Sequence, residues 1–125
     1  KPGPRFFDED LFTTQTMREM AQEIIRKHCF ENLHQEVPYG LTVIVREFKE
    51  KPILEISAEI IVNKMSHKGM VIGQKGQMLK EIGSAARIEL EKVFGQKVFL
   101  RSHVLVRENW MRDKMVLQDS GFRNA

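Results

Sequence analysis

One cysteine, one tryptophan and one tyrosine in 125 residues exclude several kinds of protein at the outset. A lone Cys29 can form no internal disulfide, which points to a reducing compartment. With so little Trp and Tyr beside eight Phe, the chain lacks the stacking platform of an RRM, and the RNP1 pattern is missing too. No apolar run approaches the roughly 20 residues of a membrane-crossing helix, and no secretory leader is visible. No serine–histidine arrangement or paired carboxylate stands out as a catalytic centre, and His67 and His103 have no visible carboxylate partner. His28, Cys29 and His34 invite a metal reading, but neighbours in sequence point to different sides of a helix. No metal site and no cofactor are expected.

What is present fits one α+β domain, since 125 residues with 42% hydrophobic and 30% charged content can bury a core without disulfide or metal staples. The net charge of +3 is unevenly spread. Residues 1–62 carry eight Lys/Arg against eleven Asp/Glu, residues 98–125 five against three, and residues 63–97 seven against three. The basic excess is therefore central, and Lys64, Lys68, Lys75, Lys80, Arg87, Lys92 and Lys97 make the footprint expected for a polyanion partner.

Lys1-Pro2-Gly3-Pro4 reads as the end of a linker, so residues 1–12 are assigned to one, with Phe6 and Phe7 expected to dock, and the chain to a piece of a longer protein. Residues 13–122 are assigned to the domain and 123–125 to a tail. Thr16 and Glu19 read as a capping box opening a helix that runs to about Leu33. After Glu36-Val37-Pro38-Tyr39-Gly40 breaks it, Leu41 to Lys49 reads as a strand with Val43 and Val45 on one face and Thr42 and Arg46 on the other. Leu54, Ile56, Ala58, Ile60 and Val62 alternate with Glu55, Ser57 and Glu59, the clearest period of two in the chain. Ser66 is expected to cap a short helix towards Ile72. Leu79, Ile82, Ala86, Leu90 and Val93 make the stripe of another, which Gly95 ends. A third strand follows from Val98 to Arg107, with Val98, Leu100, Val104 and Val106 inward. Asn109 is then expected to cap a last helix, with Trp110 as its packing anchor, that stops near Gly121.

Between the two central helices stands Gly73-Gln74-Lys75-Gly76. Glycine has no Cβ, so a sugar-phosphate chain can lie on the backbone, and helix-opening N–H groups with the Lys75 ammonium favour an anion. It is not a P-loop, because Lys75 is followed by Gly76 instead of Ser or Thr, and Val71 stands where the dinucleotide fingerprint needs its first glycine. The order α-β-β-α-[Gly-X-X-Gly]-α-β-α is that of the KH module, whose loop clamps about four nucleotides of RNA.

The wording of the chain resembles the C-terminal KH domain of the Era family of GTPases, in the type II order. Nearly the whole chain carries the likeness: Val71-Ile72-Gly73-Gln74-Lys75-Gly76, Glu36-Val37-Pro38, Glu47-Phe48-Lys49-Glu50, Ala58-Glu59-Ile60-Ile61-Val62, Ile82-Gly83 with Ala86-Arg87, Asn109-Trp110 and Ser120-Gly121-Phe122. Gly40 after Tyr39, with Asn63-Lys64-Met65-Ser66-His67-Lys68, is similar to the mitochondrial Era-like branch of animals. The resemblance implies a GTPase domain upstream, so this chain, with no P-loop, is not itself the enzyme. It also implies a monomer binding single-stranded small-subunit ribosomal RNA near its 3′ end during assembly of the small ribosomal subunit. The compartment would be the mitochondrial matrix, or the bacterial cytoplasm if the finer likeness fails. Membrane association of the longer protein is not visible in these residues.

On this reading Gly73 and Gly76 permit phosphate approach, and Gln74 and Lys75 donate to phosphate oxygens. Lys64, Lys68, Lys80 and Arg87 neutralise the flanking backbone, and each could equally be a solvated surface charge. Met70, Ile72 and Leu79 could floor the bases or simply belong to the core. Arg101, outward on the third strand, could stack on or hydrogen-bond a base. The rival reading is a protein-interaction domain that docks on the GTPase half or on a ribosomal protein. A KH domain of ribosomal-protein or transcription-factor type shares the fold.

Overall fold

A computed structural model of the chain describes residues 13–34 and 37–121. Helix α1 (Thr14–Asn32) leads into strands β1 (Leu41–Lys49) and β2 (Leu54–Val62). Helices α2 (Met65–Ile72) and α3 (Gln77–Phe94) follow, then β3 (Val98–Val106) and a short α4 (Lys114–Asp119). Single 3-10 turns lie at Val37–Gly40, Gln74–Gly76 and Trp110–Arg112. The element order is the one the sequence predicts. The expectations for Pro2–Pro4, Phe6, Phe7 and Phe122 fall outside the described residues.

The sheet runs β1-β2-β3, with β1 antiparallel to β2 and β2 parallel to β3. A parallel pair cannot be joined by a hairpin and needs a crossover. Here the crossover is α2, the glycine loop and α3, so the loop hangs at the midpoint of a connection whose two ends are fixed by neighbouring strands.

The period of two in β2 sends Leu54, Ile56, Ala58, Ile60 and Val62 to the helical face, where all five are buried with Ile25, Cys29, Ile82, Ala86 and Leu90. On the other face Ile44 and Ile61 pack with Trp110 and Val116. Val43 and Val45 face the helical core as expected, with Thr42, paired with Ile61, on the other face. Thr42 is fully buried, because Trp110 and α4 cover that end of the sheet, while Arg46 is exposed where the β1–β2 register shifts between Val45 and Glu47. Trp110 is the expected anchor, its indole N–H donating to the Gly40 carbonyl at 2.9 Å.

Three helix starts differ from expectation. At α1 the cap is Thr13, whose hydroxyl accepts the Thr16 N–H at 3.1 Å, so Thr16 lies inside the first turn. Two hydroxyl residues three apart compete for one cap, and the earlier one wins. Ser66 is likewise inside α2, whose N-cap Lys64 gives no side-chain hydrogen bond. Asn109 takes the left-handed conformation (φ 61°) that its short side chain tolerates, and Asp113 caps α4 by accepting the Met115 and Val116 N–H groups. Gly95 ends α3 in the left-handed conformation, as predicted.

Candidate nucleic-acid interface

The two loop glycines are there for different reasons. Gly73 closes α2 with its N–H on the Gly69 carbonyl at 2.8 Å and takes φ 77°, ψ 176°, a region essentially reserved for glycine. A Cβ on Gly73 would stand 2.6 Å from the Met78 Cβ and 2.8 Å from the Met78 nitrogen. The chain can therefore fold back against the first turn of α3 only if that atom is missing. Gly76 is left-handed (φ 77°, ψ 11°), but its Cβ would meet open space. It supplies conformation and leaves the surface bare. Between them Lys75 is also left-handed (φ 56°, ψ 28°), which holds its exposed side chain at the tip of the turn.

The open end of α3 is electrostatically unclaimed. Its N-cap is Gly76, which has no side chain to accept the first N–H groups, and no acidic residue lies in the first turn. Partial positive charge there is left for an outside anion. Among the described residues Lys68, Lys75 and Lys80 enter no ion pair, which leaves their ammonium groups for a polyanion. Lys64 is exposed at the start of α2. Arg87 is held differently, donating to the Glu91 carboxylate at 3.1 Å. Glu91 also accepts the Val98 N–H at 3.0 Å, and that bond first, with Arg87 adding to it, keeps the carboxyl below its ordinary 4.5.

From the loop a groove of about 350 Å³ runs between α3 and β3, lined by Gly76, Leu79, Lys80, Gly83, Ser84, Arg87, Leu100 and Ser102. The α3 members recur at helical spacing, so one face of the helix forms the wall. This joins Gly76, Leu79, Lys80 and Arg87 of the expected site into one surface. It adds Gly83, Ser84, Leu100 and Ser102, which the sequence reading missed as site residues. Gly83 broke the apolar stripe of α3 with no bulk to put there, a signal that one turn faces open space, and the structure finds nothing within 4 Å of its Cβ position.

The remaining expected residues lie elsewhere. Met70 is 49% exposed on α2, while Ile72 is half-buried against the core. Gln74 is exposed at the tip beside Lys75. Arg101 sits on the sheet face opposite α1 and α3, with its guanidinium 5.2 Å from the Phe99 ring centroid and 3.9 Å from Glu55. Strand alternation puts its neighbours Leu100 and Ser102 in the groove in its place. Among the described residues no group of three or more His, Cys, Asp or Glu could hold a metal ion. Cys29 is buried, and burial pushes its thiol up to about 12, which makes it a poor ligand and nucleophile. None of the described helices is long and apolar enough to cross a membrane.

Comparison with known proteins agrees with this geometry. A family profile described as KH domain matches residues 36–111. GTPase Era of Syntrophus aciditrophicus is 44% identical over 123 residues, covering 96% of this chain and 40% of that protein. GTPase Era of Thermotoga petrophila is 42% identical over 125 residues, covering 98% and 42%. The chain thus spans about two fifths of the length of these relatives. Among solved structures, an Aquifex aeolicus Era variant bound to GDP and AlF4− superposes with a TM-score of 0.83 at 36% identity, covering 98% of this chain and 42% of that one. Era in complex with MgGDPNP and nucleotides 1506–1542 of 16S ribosomal RNA matches equally well. With the glycine loop, the type II element order and the three-stranded sheet in place, the chain belongs to the KH domain family and is similar along nearly its whole length to the C-terminal portion of GTPase Era.

Proposed function

We propose that this chain is a single-stranded RNA-binding module that takes small-subunit ribosomal RNA near its 3′ end, as part of a longer GTPase acting in assembly of the small ribosomal subunit. The observation that carries the reading is the loop from Gly73 to Gly76. It combines a bare backbone at Gly76, an uncapped helix start and, beside Gly76, a Lys75 that enters no ion pair among the described residues, with Gly76 itself lining a groove between α3 and β3. Phosphates would lie on the loop and the first turn of α3, held by main-chain N–H groups, Lys75 and Lys80. Bases would enter the groove over Leu79 and Leu100, with the Ser84 and Ser102 hydroxyls offered to their edges. A solved Era with 16S ribosomal RNA bound supports the class of RNA. The wording around Tyr39-Gly40 and Asn63–Lys68 supports a mitochondrial matrix location, with the bacterial cytoplasm as the alternative.

Titrating the chain with a single-stranded RNA from the 3′ region of small-subunit ribosomal RNA, against a scrambled RNA, tests this by NMR. Shifts are expected from Met70 to Leu79 and at Leu100 and Ser102, and Lys75→Asp should abolish them while the fold persists. The log-log salt slope should be about −2 to −3, from roughly −0.7 for each of about four phosphates. A folded chain whose loop signals stay still would overturn RNA binding in favour of protein docking.

A further inference from the structure

The outer face of the sheet, opposite α1 and α3, is covered at one end, where Ile44 and Ile61 lie with Trp110 and Val116. Towards the other end β3 sets Phe99 and Arg101 in register beside Glu55 and Ser57 of β2. Phe99 belongs to neither hydrophobic cluster, and its ring is 51% exposed. The Arg101 guanidinium stands 5.2 Å from the centroid of that ring, within the range of a cation–π contact. Its ion pair with Glu55 is long, at 3.9 Å, and both side chains stay open to solvent at 52% and 39%. Such a bridge is weak enough for either partner to exchange it for a ligand.

This chemistry differs in kind from that of the glycine loop. The loop offers main-chain N–H groups and lysines to phosphate, whereas Glu55 and Glu59 on the outer face repel one. An exposed ring with a guanidinium beside it is a stacking surface for a base, and a carboxylate next to it accepts a base amino group, as Glu does from cytosine N4. The two places are also continuous. In the three-stranded sheet β3 is an edge strand, and it is the strand that walls the groove. Leu100 and Ser102 point into the groove while Phe99 and Arg101, alternating with them, point to the outer face. Only the width of one strand separates the groove from the aromatic pair.

We infer that a single strand leaving the groove crosses the free edge of β3 and sets a further base on Phe99 and Arg101, with Glu55 selecting a base that carries an exocyclic amino group. The inference rests on the reading above that RNA occupies the groove. Phosphate would then be held on one side of β3 and base identity read on the other.

Two lengths of RNA test it. One covers about four nucleotides, the length a KH loop clamps. The other is the same RNA extended at both ends by cytidines or by uridines, which share a ring size and differ in an amino group against a carbonyl. The cytidine extension is expected to tighten binding about tenfold, and Phe99→Ala should remove that gain. Glu55→Gln should bring the cytidine and uridine extensions to the same affinity. Both positions lie outside the groove, so both variants should bind the short RNA as the unaltered chain does, which also shows that they fold. An extension that adds nothing, or a gain that survives Phe99→Ala, overturns the inference and leaves RNA in the groove standing. NMR shifts at Phe99 and Arg101 that follow the concentration of the chain and not the RNA would assign the face to a second copy and overturn it as well. A short RNA that fails to move the loop signals would bring down the RNA reading itself, and this inference with it.

Discussion

The two ends of α3 are built on opposite electrostatic terms. At its C-terminal end every carboxylate is engaged in holding the fold. Glu89 takes Lys27 at 2.7 Å and His28 at 2.7 Å from α1, and Glu91 takes Arg87 and the Val98 N–H from β3. Lys92 in the last turn complements the negative end of the helix. At its N-terminal end there is no acidic residue in the first turn, no side-chain cap, and two lysines that form no ion pair among the described residues. A helix under selection for stability alone would have capped that end. One helix thus anchors the domain with one end and leaves the other for an anion, so net charge misleads as a guide to binding where pairing does not.

The largest break in this division should come at the turn between α2 and α3. Gly73→Ala forces a Cβ into Met78 and a side chain into a glycine-only region, and a cost of about 3 kcal/mol is expected, read from the urea midpoint. Gly76→Ala meets only the left-handed penalty of about 1 kcal/mol, since its Cβ points into open space. RNA affinity should fall in both. Only in Gly76→Ala should it fall from a protein whose fold is nearly as stable as before, because there the methyl group stands where the phosphate would lie. Equal losses of stability would remove the distinction between a glycine that packs and one that clears a surface.

A smaller effect separates lysines along the same helix. Lys80→Gln at the open end should weaken RNA binding by about 1 kcal/mol and make the salt slope shallower by roughly 0.7. Lys92→Gln at the anchored end should change neither. If the two variants behave alike, the basic excess of residues 63–97 acts as a diffuse field and the division of α3 is irrelevant to binding.

Much of this was legible in the sequence, and the parts that were not share a physical cause. The alternation of β2 and the apolar stripe of α3 are local patterns, and both mark core positions the structure buries. The Gly-X-X-Gly turn could be placed because two glycines flank a cation between helical runs. Hidden were facts that depend on what lies across space. Thr42 stands on the face opposite Val43 and Val45, and nothing local shows that Trp110, far along the chain, covers that side of the sheet. Alternation along β3 already sets Arg101 outward, but only the fold shows that Ser102, on the Leu100 side, lines a groove with α3. The caps at Thr13 and Asp113 went to residues that competed locally with Thr16 and Asn109, a contest between similar side chains that spacing cannot decide.

The finest test concerns acid. Glu89 is held below its ordinary 4.5 chiefly by its hydrogen bond to Lys27, with His28 adding to it, and Glu91 chiefly by the Val98 N–H, with Arg87 adding to it. A carboxylate whose folded value is depressed gives stability that is present above its unfolded value and is lost as pH falls through the folded one. Urea midpoints should therefore be insensitive to these two groups at neutral pH and decline below about pH 4.5, the span between unfolded and folded titration. Both side chains are partly open to solvent, so screening keeps the change small and added salt should reduce it further. Glu91→Gln sharpens the assignment, because the amide oxygen can still accept the Val98 N–H while the charge on Arg87 loses its partner. The acid decline should flatten, and Arg87, released into the groove wall, should steepen the RNA salt slope. If the slope stays as it was, Arg87 serves only to pin α3 to β3, and the RNA-facing charge stops at Lys80.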